Sequence, residues 1–212
     1  MARILVTAGP THERIDAVRF IGNRSSGKMG YAIARRLVAL GHEVTLVSGP
    51  SSLDIPEGLV FHRVESAQEM YDRVMAIWPN VDGAIKAAAV ADYTPKMVAD
   101  HKIKKQEARL TIELMPTLDI LAAMGRDKKA DQWLVGFALE TDNALAYAMD
   151  KLVRKNLDYI VLNSLADKGA GFNVDTNKVT VIDRDQNVTT FGVKPKSEVA
   201  HDICEIIQPF LR

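Results

Sequence analysis

The sequence predicts an α/β fold: a doubly wound, largely parallel (Rossmann-like) sheet with two extra hairpin segments. Short apolar runs of strand length alternate with segments of helical period through the first two thirds of the chain, which is the pattern of successive βα units. A long, polar, glycine-rich loop follows the first apolar run. Right-handed crossovers would bring the carboxyl ends of the strands, and any ligand bound there, to one edge of the sheet.

The predicted strands are short apolar runs that end in polar or small residues. In chain order they are Ile4–Val6, Val44–Val47, Leu59–Val64, Asp82–Ala89, Trp133–Ala138 and Tyr159–Leu162. Apolar residues at helical spacing predict the helices. These cover Ala32–Leu40, a segment with N-cap Ser66 that carries Met70, Val74 and Ile77, Asn143–Arg154, and the periodic stretch Val199–Leu211.

Two segments interrupt this alternation. Residues 93–114 show no helical period, and within them Lys102–Lys105 and Arg109–Glu113 predict two extended segments around a polar turn. Lys178–Asp183 and Val188–Phe191 predict a second hairpin. Because neither fits between crossover helices, each is expected to be a protruding flap, an edge extension of the sheet or an oligomer contact.

Composition limits the classes of function. We expect a single domain over residues 1–212, long enough to bury a sizeable core. Lys plus Arg equals Asp plus Glu at 27 each, so no overall charge favours nucleic acid or an anionic membrane. The single Cys204 excludes an internal disulfide, and its periodic apolar surroundings favour core packing over nucleophilic chemistry. The N-terminal apolar run is too short for a signal peptide or a membrane span, so we expect a cytoplasmic protein.

The loop over residues 7–30 is the strongest candidate for ligand binding, because it is several times longer than an ordinary strand-to-helix connection. Its glycines, which permit close backbone approach, are Gly9, Gly22, Gly27 and Gly30. Its side-chain donors are Arg19, Asn23, Ser25 and Ser26. Residues 22–28 satisfy G-x-x-x-x-G-K, but Met29 replaces the hydroxyl residue of a P-loop, and G-x-G-x-x-G is absent. The alternative is a structural loop in which Ser25 or Ser26 caps the helix.

A second candidate lies after the fourth predicted strand. Ala87–Ala89 presents almost no side chains, so a base or ribose could lie against the backbone, and Asp92 could accept hydrogen bonds from an amine or from ribose hydroxyls. The alternative is that the alanines let a helix pack closely and that Asp92 caps it.

Lysines form the third candidate set. Lys102 and Lys104 share one face of an extended segment, where they would suit a triphosphate or would protect an edge strand from aggregation. Lys151 and Lys155 lie one helical turn apart, although a solvated helix face is the usual explanation. No Cys–His cluster has zinc spacing, so catalysis would depend on positioning and charge stabilisation.

Several ordered motifs resemble one enzyme family, phosphopantothenate–cysteine ligase (phosphopantothenoylcysteine synthetase) of coenzyme A biosynthesis. The motifs cover nearly the whole chain. They are TAGPT and VRFIGNRSSGKMG in the first loop, AAAVADY at 87–93, KIKKQ at 102–106, VGFALET at 135–141, KNLD at 155–158 and GFN at 171–173.

The resemblance implies a two-step ligase. A nucleoside triphosphate, with Mg²⁺, would activate the carboxylate of 4′-phosphopantothenate as an acyl-nucleotide, and the amine of L-cysteine would then form the amide. Bacterial members use CTP and eukaryotic members ATP, and the AAAVADY form favours CTP and an acyl-cytidylate intermediate. The family also implies a homodimer and, in many bacteria, fusion behind a phosphopantothenoylcysteine decarboxylase, so this chain is either free-standing or one domain of such a protein.

The resemblance also implies the site residues, and it leaves the metal ligands unassigned. Asn23 and Arg19 would face the pantothenate part of the intermediate together with Ser25 and Gly27, and the amide of Asn23 would donate to the acyl oxyanion. Residues implied at the nucleotide are Ala87, Ala88, Asp92, Lys102, Leu118, Asp119, Ile120, Leu121, Phe137, Lys151 and Lys155, of which Lys102 would hold phosphate during catalysis.

Two departures from the family pattern weaken this assignment. Many relatives have Asn-Pro-Asp where this chain has Thr117-Leu118-Asp119, and Lys86 replaces a small or apolar residue. An NAD(P)-dependent short-chain oxidoreductase is the rival enzyme, since Tyr147 and Lys151 have Tyr-x-x-x-Lys spacing, but its glycine fingerprint is missing. A non-catalytic nucleotide sensor is the second rival.

Overall fold

The computed structural model describes residues 1–105, 109–140, 143–164 and 174–211. Its strands are β1 (Arg3–Ala8), β2 (His12–Arg14), β3 (Phe20–Gly22), β4 (Glu43–Ser48), β5 (Val60–Arg63), β6 (Gly83–Lys86), β7 (Tyr93–Pro95), β8 (Leu114–Pro116), β9 (Trp133–Glu140), β10 (Tyr159–Ser164), β11 (Thr176–Asn177), β12 (Val179–Asp183), β13 (Val188–Thr190) and β14 (Lys194–Pro195). Its helices are α1 (Lys28–Ala39), α2 (Ala67–Ile77), α3 (Ile120–Arg126), α4 (Ala144–Arg154) and α5 (Lys196–Ile206), with short 3₁₀ helices at Trp78–Asn80 and Gln208–Phe210.

The main sheet confirms the doubly wound, largely parallel prediction. Its eight strands lie in the order β13-β12-β10-β9-β6-β1-β4-β5. The six strands β10, β9, β6, β1, β4 and β5 are all parallel to one another. β12 pairs antiparallel with β10, and β13 pairs antiparallel with β12. Numbered along the chain, the parallel strands have the order 3-2-1-4-5-6 of a dinucleotide-binding fold, whose ligands bind where the order reverses. That point lies between β1 and β6.

The two faces of the sheet are covered by different helices. α1 and α5 pack on one face, where Ile33 and Ile203 join the buried side chains of β1. α2, α3 and α4 cover the opposite face through Met70, Met124 and Leu152. Cys204 is buried within the first of these layers, and burial raises the pKa of its thiol to about 12. The prediction that Cys204 serves core packing is therefore confirmed.

Several predicted boundaries are corrected by the structure. α1 begins at Lys28, not Ala32, and its N-cap is Gly27 with a left-handed backbone and no side-chain cap, so the Ser25 or Ser26 cap is wrong. Ser66 does cap α2, since its side chain accepts from the Glu69 N–H. β6 ends at Lys86, before the predicted Ala89. Neither α3 nor the small β2–β3 and β11–β14 pairs were predicted from the sequence.

The two hairpin predictions have opposite outcomes. β12 and β13 form the second hairpin and extend the edge of the main sheet through β10, which confirms the edge extension. The first was misplaced, because its paired strands are β7 and β8, while the described residues of 102–113 belong to no strand. Residues 106–108 of its turn, Thr141 and the GFN motif at 171–173 lie outside the described residues. No helix of the described chain has the length and apolar character to cross a bilayer.

Candidate functional site

The site lies at the reversal of strand order, where the chain leaving β6 runs beside the chain leaving β1. Ala87 N–H donates to the Thr7 carbonyl and Ala88 N–H to the Thr7 hydroxyl, both at 3.2 Å. Ala89 N–H donates to the Gly9 carbonyl, and Ala91 N–H to the Thr11 hydroxyl. Because both threonines are buried, this ladder fixes the backbone of residues 87–91 against the first loop.

Glycines bring the first helix onto the same edge. A Cβ on Gly30 would lie 2.6 Å from the Ala8 Cβ and 2.9 Å from the Thr7 carbonyl oxygen, so only glycine lets α1 approach β1 this closely. Gly27, the α1 N-cap, has a φ of 82° and lies against Gly9. The first N–H groups of α1 have no intrahelical acceptors and carry the positive end of the helix dipole. They therefore offer an anion site at this edge.

The first cavity, of about 300 Å³, opens at this helix N-terminus. It is lined by Asn23, Ser25, Ser26, Gly27, Lys28, Met29, Gly30, Ala87, Ala88, Ala89, Val90, Phe137, Ala138, Leu139, Lys151, Asn163, Asn177 and Lys196. Lys28 is paired with Asp175 at 2.6 Å, and the Lys196 ammonium donates to the Val174 carbonyl. Burial, followed by the charge of Lys28, lowers the pKa of Lys196. Cations and amides thus line this cavity, which suits a ligand with anionic oxygens.

The second cavity, of about 250 Å³, adjoins the first on the α3–α4 side of β6. It is lined by Lys86, Ala88, Val90, Ala91, Asp92, Thr117, Leu118, Asp119, Ile120, Leu121, Phe137, Lys151 and Lys155. Ala88, Val90, Phe137 and Lys151 line both cavities, so a ligand in one can touch a ligand in the other.

Charged pairs organise the second cavity. Asp119 caps α3 by accepting from the Ala122 N–H at 2.9 Å and forms a 2.7 Å salt bridge with Lys155. Burial would raise the pKa of Asp119, but the bond from Lys155, the Ala122 N–H and the nearby positive charges together hold it below its ordinary value. The Lys151 ammonium donates to the Phe137 carbonyl at 3.0 Å. The cavity therefore contains both acidic and basic groups.

Most of the site residues implied by the resemblance line these two cavities. The first is lined by Asn23, Ser25, Gly27 and Ala87, and the second by Asp92, Lys155 and the segment Leu118–Leu121. Both are lined by Ala88, Phe137 and Lys151. Arg19 and Lys102 line neither. Their contacts with a ligand therefore stay predictions.

Arg19 instead joins residues 102–105, which we call the lysine segment, to the first loop. Its guanidinium bonds to Asp16 through Nε and Nη2 and also donates to the Ile103 carbonyl at 3.1 Å. The buried Asp16 carboxylate accepts from the Ile103 N–H in return. The bond from Arg19 is the largest of the interactions that hold the pKa of Asp16 well below its usual range. Lys102, next to Ile103, lies outside this set of hydrogen bonds and is exposed.

In this structure the amide of Asn23 bonds within its own chain. Its amide nitrogen donates to the Ala89 and Val90 carbonyls, at 3.1 and 3.2 Å, so neither amide hydrogen is left for an acyl oxyanion. Its Oδ1 accepts no hydrogen bond from the described residues. Asn23 therefore lies at the junction of the cavities as an anchor for residues 89–90 and as an acceptor.

A family model, described as the DNA/pantothenate metabolism flavoprotein C-terminal domain, matches residues 1–210. The solved C-terminal domain of the coenzyme A biosynthesis bifunctional protein CoaBC is 47% identical, with a TM-score of 0.85, and the match covers 99% of this chain and 95% of that domain. The chain belongs to this family.

Two further relatives give the context of this C-terminal domain family. The CoaBC bifunctional protein of Bacillus subtilis (strain 168) is 49% identical over 205 residues, which are 96% of this chain and 50% of that protein. The chain thus spans about half the length of the curated relatives it matches. A Cab2 mutant solved with phosphopantothenate-cysteine has a TM-score of 0.78 over 99% of this chain and 87% of its own, and at 17% identity it shows the same fold.

Sequence reasoning missed several residues of this family member's site. Lys86 was noted only as a departure from the family pattern, whereas it lines the second cavity. Lys28, Asn177 and Lys196 line the first without having been singled out. Asn163 also lines it and directly follows the sixth predicted strand, where a doubly wound sheet binds ligands. Nothing in the sequence brings Lys196, the first residue of α5, to the same edge.

Proposed function

We propose that this chain joins 4′-phosphopantothenate to L-cysteine, after CTP has activated the carboxylate as an acyl-cytidylate. One observation carries the proposal: two adjoining cavities lie where the strand order reverses, between β1 and β6. The first is built around the N-terminus of α1 and amide side chains, and the second around the small residues that follow β6, Asp92 and lysines. A reaction between two bound ligands requires such adjoining sites. The family membership and the coenzyme A biosynthesis named for its relatives support the choice of reaction.

In the first step, a carboxylate oxygen of phosphopantothenate attacks the α-phosphorus of CTP and pyrophosphate leaves. In the second, the cysteine amine attacks the acyl carbon, loses a proton and expels CMP. We assign the pantothenate portion to the first cavity, where the α1 N–H groups and Ser25 face it, and the nucleoside to the second. Phe137 and Lys151, which line both, then lie beside the bond that forms.

Mg²⁺ belongs to this proposal as a partner of the nucleotide. Among the described residues no three His, Cys, Asp or Glu side chains cluster as a ready-made metal site. This fits Mg²⁺, which often binds through substrate phosphates and water with few protein ligands. When bound, it would neutralise charge on the pyrophosphate that leaves. We assign no residue to it.

Asn23 keeps a role in the second step, with its chemistry revised. Because its amide hydrogens hold residues 89–90, the group left for a ligand is the Oδ1 acceptor. An acceptor suits the ammonium of cysteine, which must be oriented and must lose a proton before it attacks. A neutral amide does this without stabilising the charged, unreactive ammonium as strongly as a carboxylate would.

We further propose a homodimer in which the lysine segment serves the partner's site. Exposed apolar side chains lie on the neighbouring β2–β3 and β7–β8 hairpins and on the residues beside them. Each is at least 42% exposed. We call this set the hairpin patch; it consists of Val18, Phe20, Tyr93, Met97, Val98, Leu110, Leu114 and Met115. An apolar patch of this kind marks an interaction surface. Arg19 and Lys102 lie on this side of the chain and outside its own cavities, as expected of residues that reach across a dimer.

Other enzymes fit the site less well. The oxidoreductase rival needs Tyr147 at the cofactor, yet Tyr147 is 55% exposed and lines neither cavity. Use of ATP in the same reaction is the nearer alternative. Because the CoaBC relatives are bifunctional and about twice as long, a phosphopantothenoylcysteine decarboxylase, fused or separate, is the proposed partner. Its substrate is the amide that this chain would form, so it would act in the following step.

Mass spectrometry of quenched reactions tests the proposal. The chain is incubated with Mg²⁺, 4′-phosphopantothenate, L-cysteine and either CTP or ATP, and each component is omitted in turn. We expect the phosphopantothenoylcysteine amide only in the complete mixture, and more of it with CTP. Nucleotide binding with no product would favour the sensor, and equal or faster product formation with ATP would remove the CTP assignment.

A further inference from the structure

Lys86 is a buried amine that faces a cavity without a partner. It ends β6, pairs across the sheet with Thr7 and Gly136, and is 8% exposed. Among the described residues, no hydrogen bond or salt bridge to its ammonium is present. A buried cationic group without a partner is costly, so its position in the wall of the second cavity indicates a ligand.

The neighbouring N–H groups and the other two lysines are engaged within the chain. The N–H groups of Ala87, Ala88 and Ala89 all donate to the first strand or its loop, so they are not left to donate to a base. Lys155 is paired with Asp119, and Lys151 donates to the Phe137 carbonyl. Lys86 is therefore the lysine of this cavity whose ammonium we assign to a ligand oxygen.

The acidic groups of the cavity indicate which ligand oxygen Lys86 meets. Asp92 and Asp119 line the same space and balance the charges of Lys151 and Lys155, so the cavity offers a phosphate no excess of positive charge beyond Lys86 itself. A base carbonyl is neutral, and it accepts strongly from an ammonium. Cytosine presents such a carbonyl, whereas adenine offers only ring nitrogens as acceptors.

We propose that Lys86 is a specificity-determining residue that donates to the carbonyl oxygen of a pyrimidine base in the second cavity and so favours CTP over ATP. The inference rests on the proposed function, because it takes the second cavity as the nucleoside site.

This arrangement couples base binding to a proton. Burial, and then the charges of Lys151 and Lys155, lower the pKa of Lys86 to about 7, although Asp119 and Asp92 act in the opposite direction. A carbonyl that accepts from the charged form raises the pKa of Lys86 in the complex. At pH 8 the free amine is mostly neutral, and the last ionisation of a phosphate, near pH 6, is complete. Proton uptake at pH 8 therefore reports the amine and not the triphosphate.

Isothermal titration calorimetry of CTP and ATP, in two buffers of different ionisation enthalpy at pH 8, tests the assignment. The proteins are the wild type, Lys86→Met, which keeps the length of the side chain without its charge, and Lys129→Met as a matched loss of an exposed lysine outside both cavities. The wild type should take up about 0.4 to 0.8 proton per CTP, if the base contact raises the pKa by about one to two units. Lys86→Met should weaken CTP binding about tenfold or more and abolish the uptake, while ATP binding changes less than about twofold. Lys129→Met should match the wild type.

The possible outcomes separate this inference from the proposed function. Tight CTP binding with no proton uptake and no effect of Lys86→Met would overturn the role of Lys86 and leave the ligase intact. Equal losses of CTP and ATP affinity would also overturn base reading. If neither nucleotide binds the wild type, both proposals fail. If Lys86→Met does not fold, proton uptake by the wild type decides the question. Greater uptake with CTP than with ATP supports the inference, and equal uptake with the two nucleotides contradicts it.

Discussion

The close approach of α1 to β1 positions the proposed anion site, and Gly30→Ala tests it. The added methyl group would lie 2.6 Å from the Ala8 Cβ and 2.9 Å from the Thr7 carbonyl oxygen, whereas carbon atoms in contact prefer about 3.5 to 4.0 Å. Neither neighbour is the end of a flexible side chain, so α1 must withdraw by about 1 Å. Overpacking of this kind costs about 1 to 3 kcal/mol, and alanine returns up to about 1 kcal/mol as the better helix former.

We therefore expect Gly30→Ala to lose about 1 to 2 kcal/mol of unfolding free energy, or about 2 to 8 °C in Tm for a chain of this size. A displacement of about 1 Å at a reacting centre can cost about 100-fold in rate, so carboxylate activation should fall by about 10- to 100-fold. Gly192→Ala is the matched control, because a Cβ there meets nothing within 4 Å; its stability should stay within about 0.5 kcal/mol. Urea titration and pyrophosphate release measure the two effects. A normal turnover in a destabilised Gly30→Ala would show that the helix N-terminus does not position the substrate.

Three further predictions concern the remaining groups. Lys102→Gln should lose about 1.5 to 3 kcal/mol of transition-state stabilisation in nucleotide-dependent turnover with an unchanged Tm, whereas activity near that of wild type would leave Lys102 as a surface charge. Asn23→Asp should accumulate acyl-nucleotide when cysteine is present, because a carboxylate holds the attacking amine protonated; mass spectrometry that shows normal product, or equal loss of both steps, would end the role of Asn23. The chain should sediment as a dimer of 23.4 kDa protomers. Met97→Glu in the hairpin patch should dissociate the dimer and abolish activity, whereas the control Val60→Glu, on the edge strand β5, should do neither. A fully active monomer would contradict the shared site.

The sequence predicted the sheet well because each buried parallel strand is a short apolar run that can be recognised without its neighbours. The long first loop was recognisable as a ligand site by its glycines and donors, and the chain after β6 by its alanines. Apart from Arg19, the predicted site residues on these segments line the cavities. Local composition was sufficient to predict those site residues whose place in the site depends only on the end of the strand that they follow.

The remaining errors come from contacts between distant segments. β6 stops at Lys86 because the following residues pair with the first loop, where Pro10 bridges Ala89. The bonds of Arg19 to Asp16 and to the Ile103 carbonyl, which join the first loop to a segment more than 80 residues away, were not predicted. The first hairpin was misplaced because its pairing strands are only three residues long each. No periodicity in so short a strand separates it from a loop.

Transfer of oxygen from the substrate carboxylate to the nucleotide tests whether the carboxylate is activated through an acyl-nucleotide. Phosphopantothenate labelled with ¹⁸O in its carboxylate is converted to the amide with CTP, L-cysteine and Mg²⁺, and the nucleotide product is analysed by mass spectrometry. Attack of the carboxylate on the α-phosphorus predicts pyrophosphate and CMP, with one ¹⁸O carried into each CMP as the amide forms. Unlabelled CMP, or CDP with label in inorganic phosphate, would contradict the acyl-cytidylate.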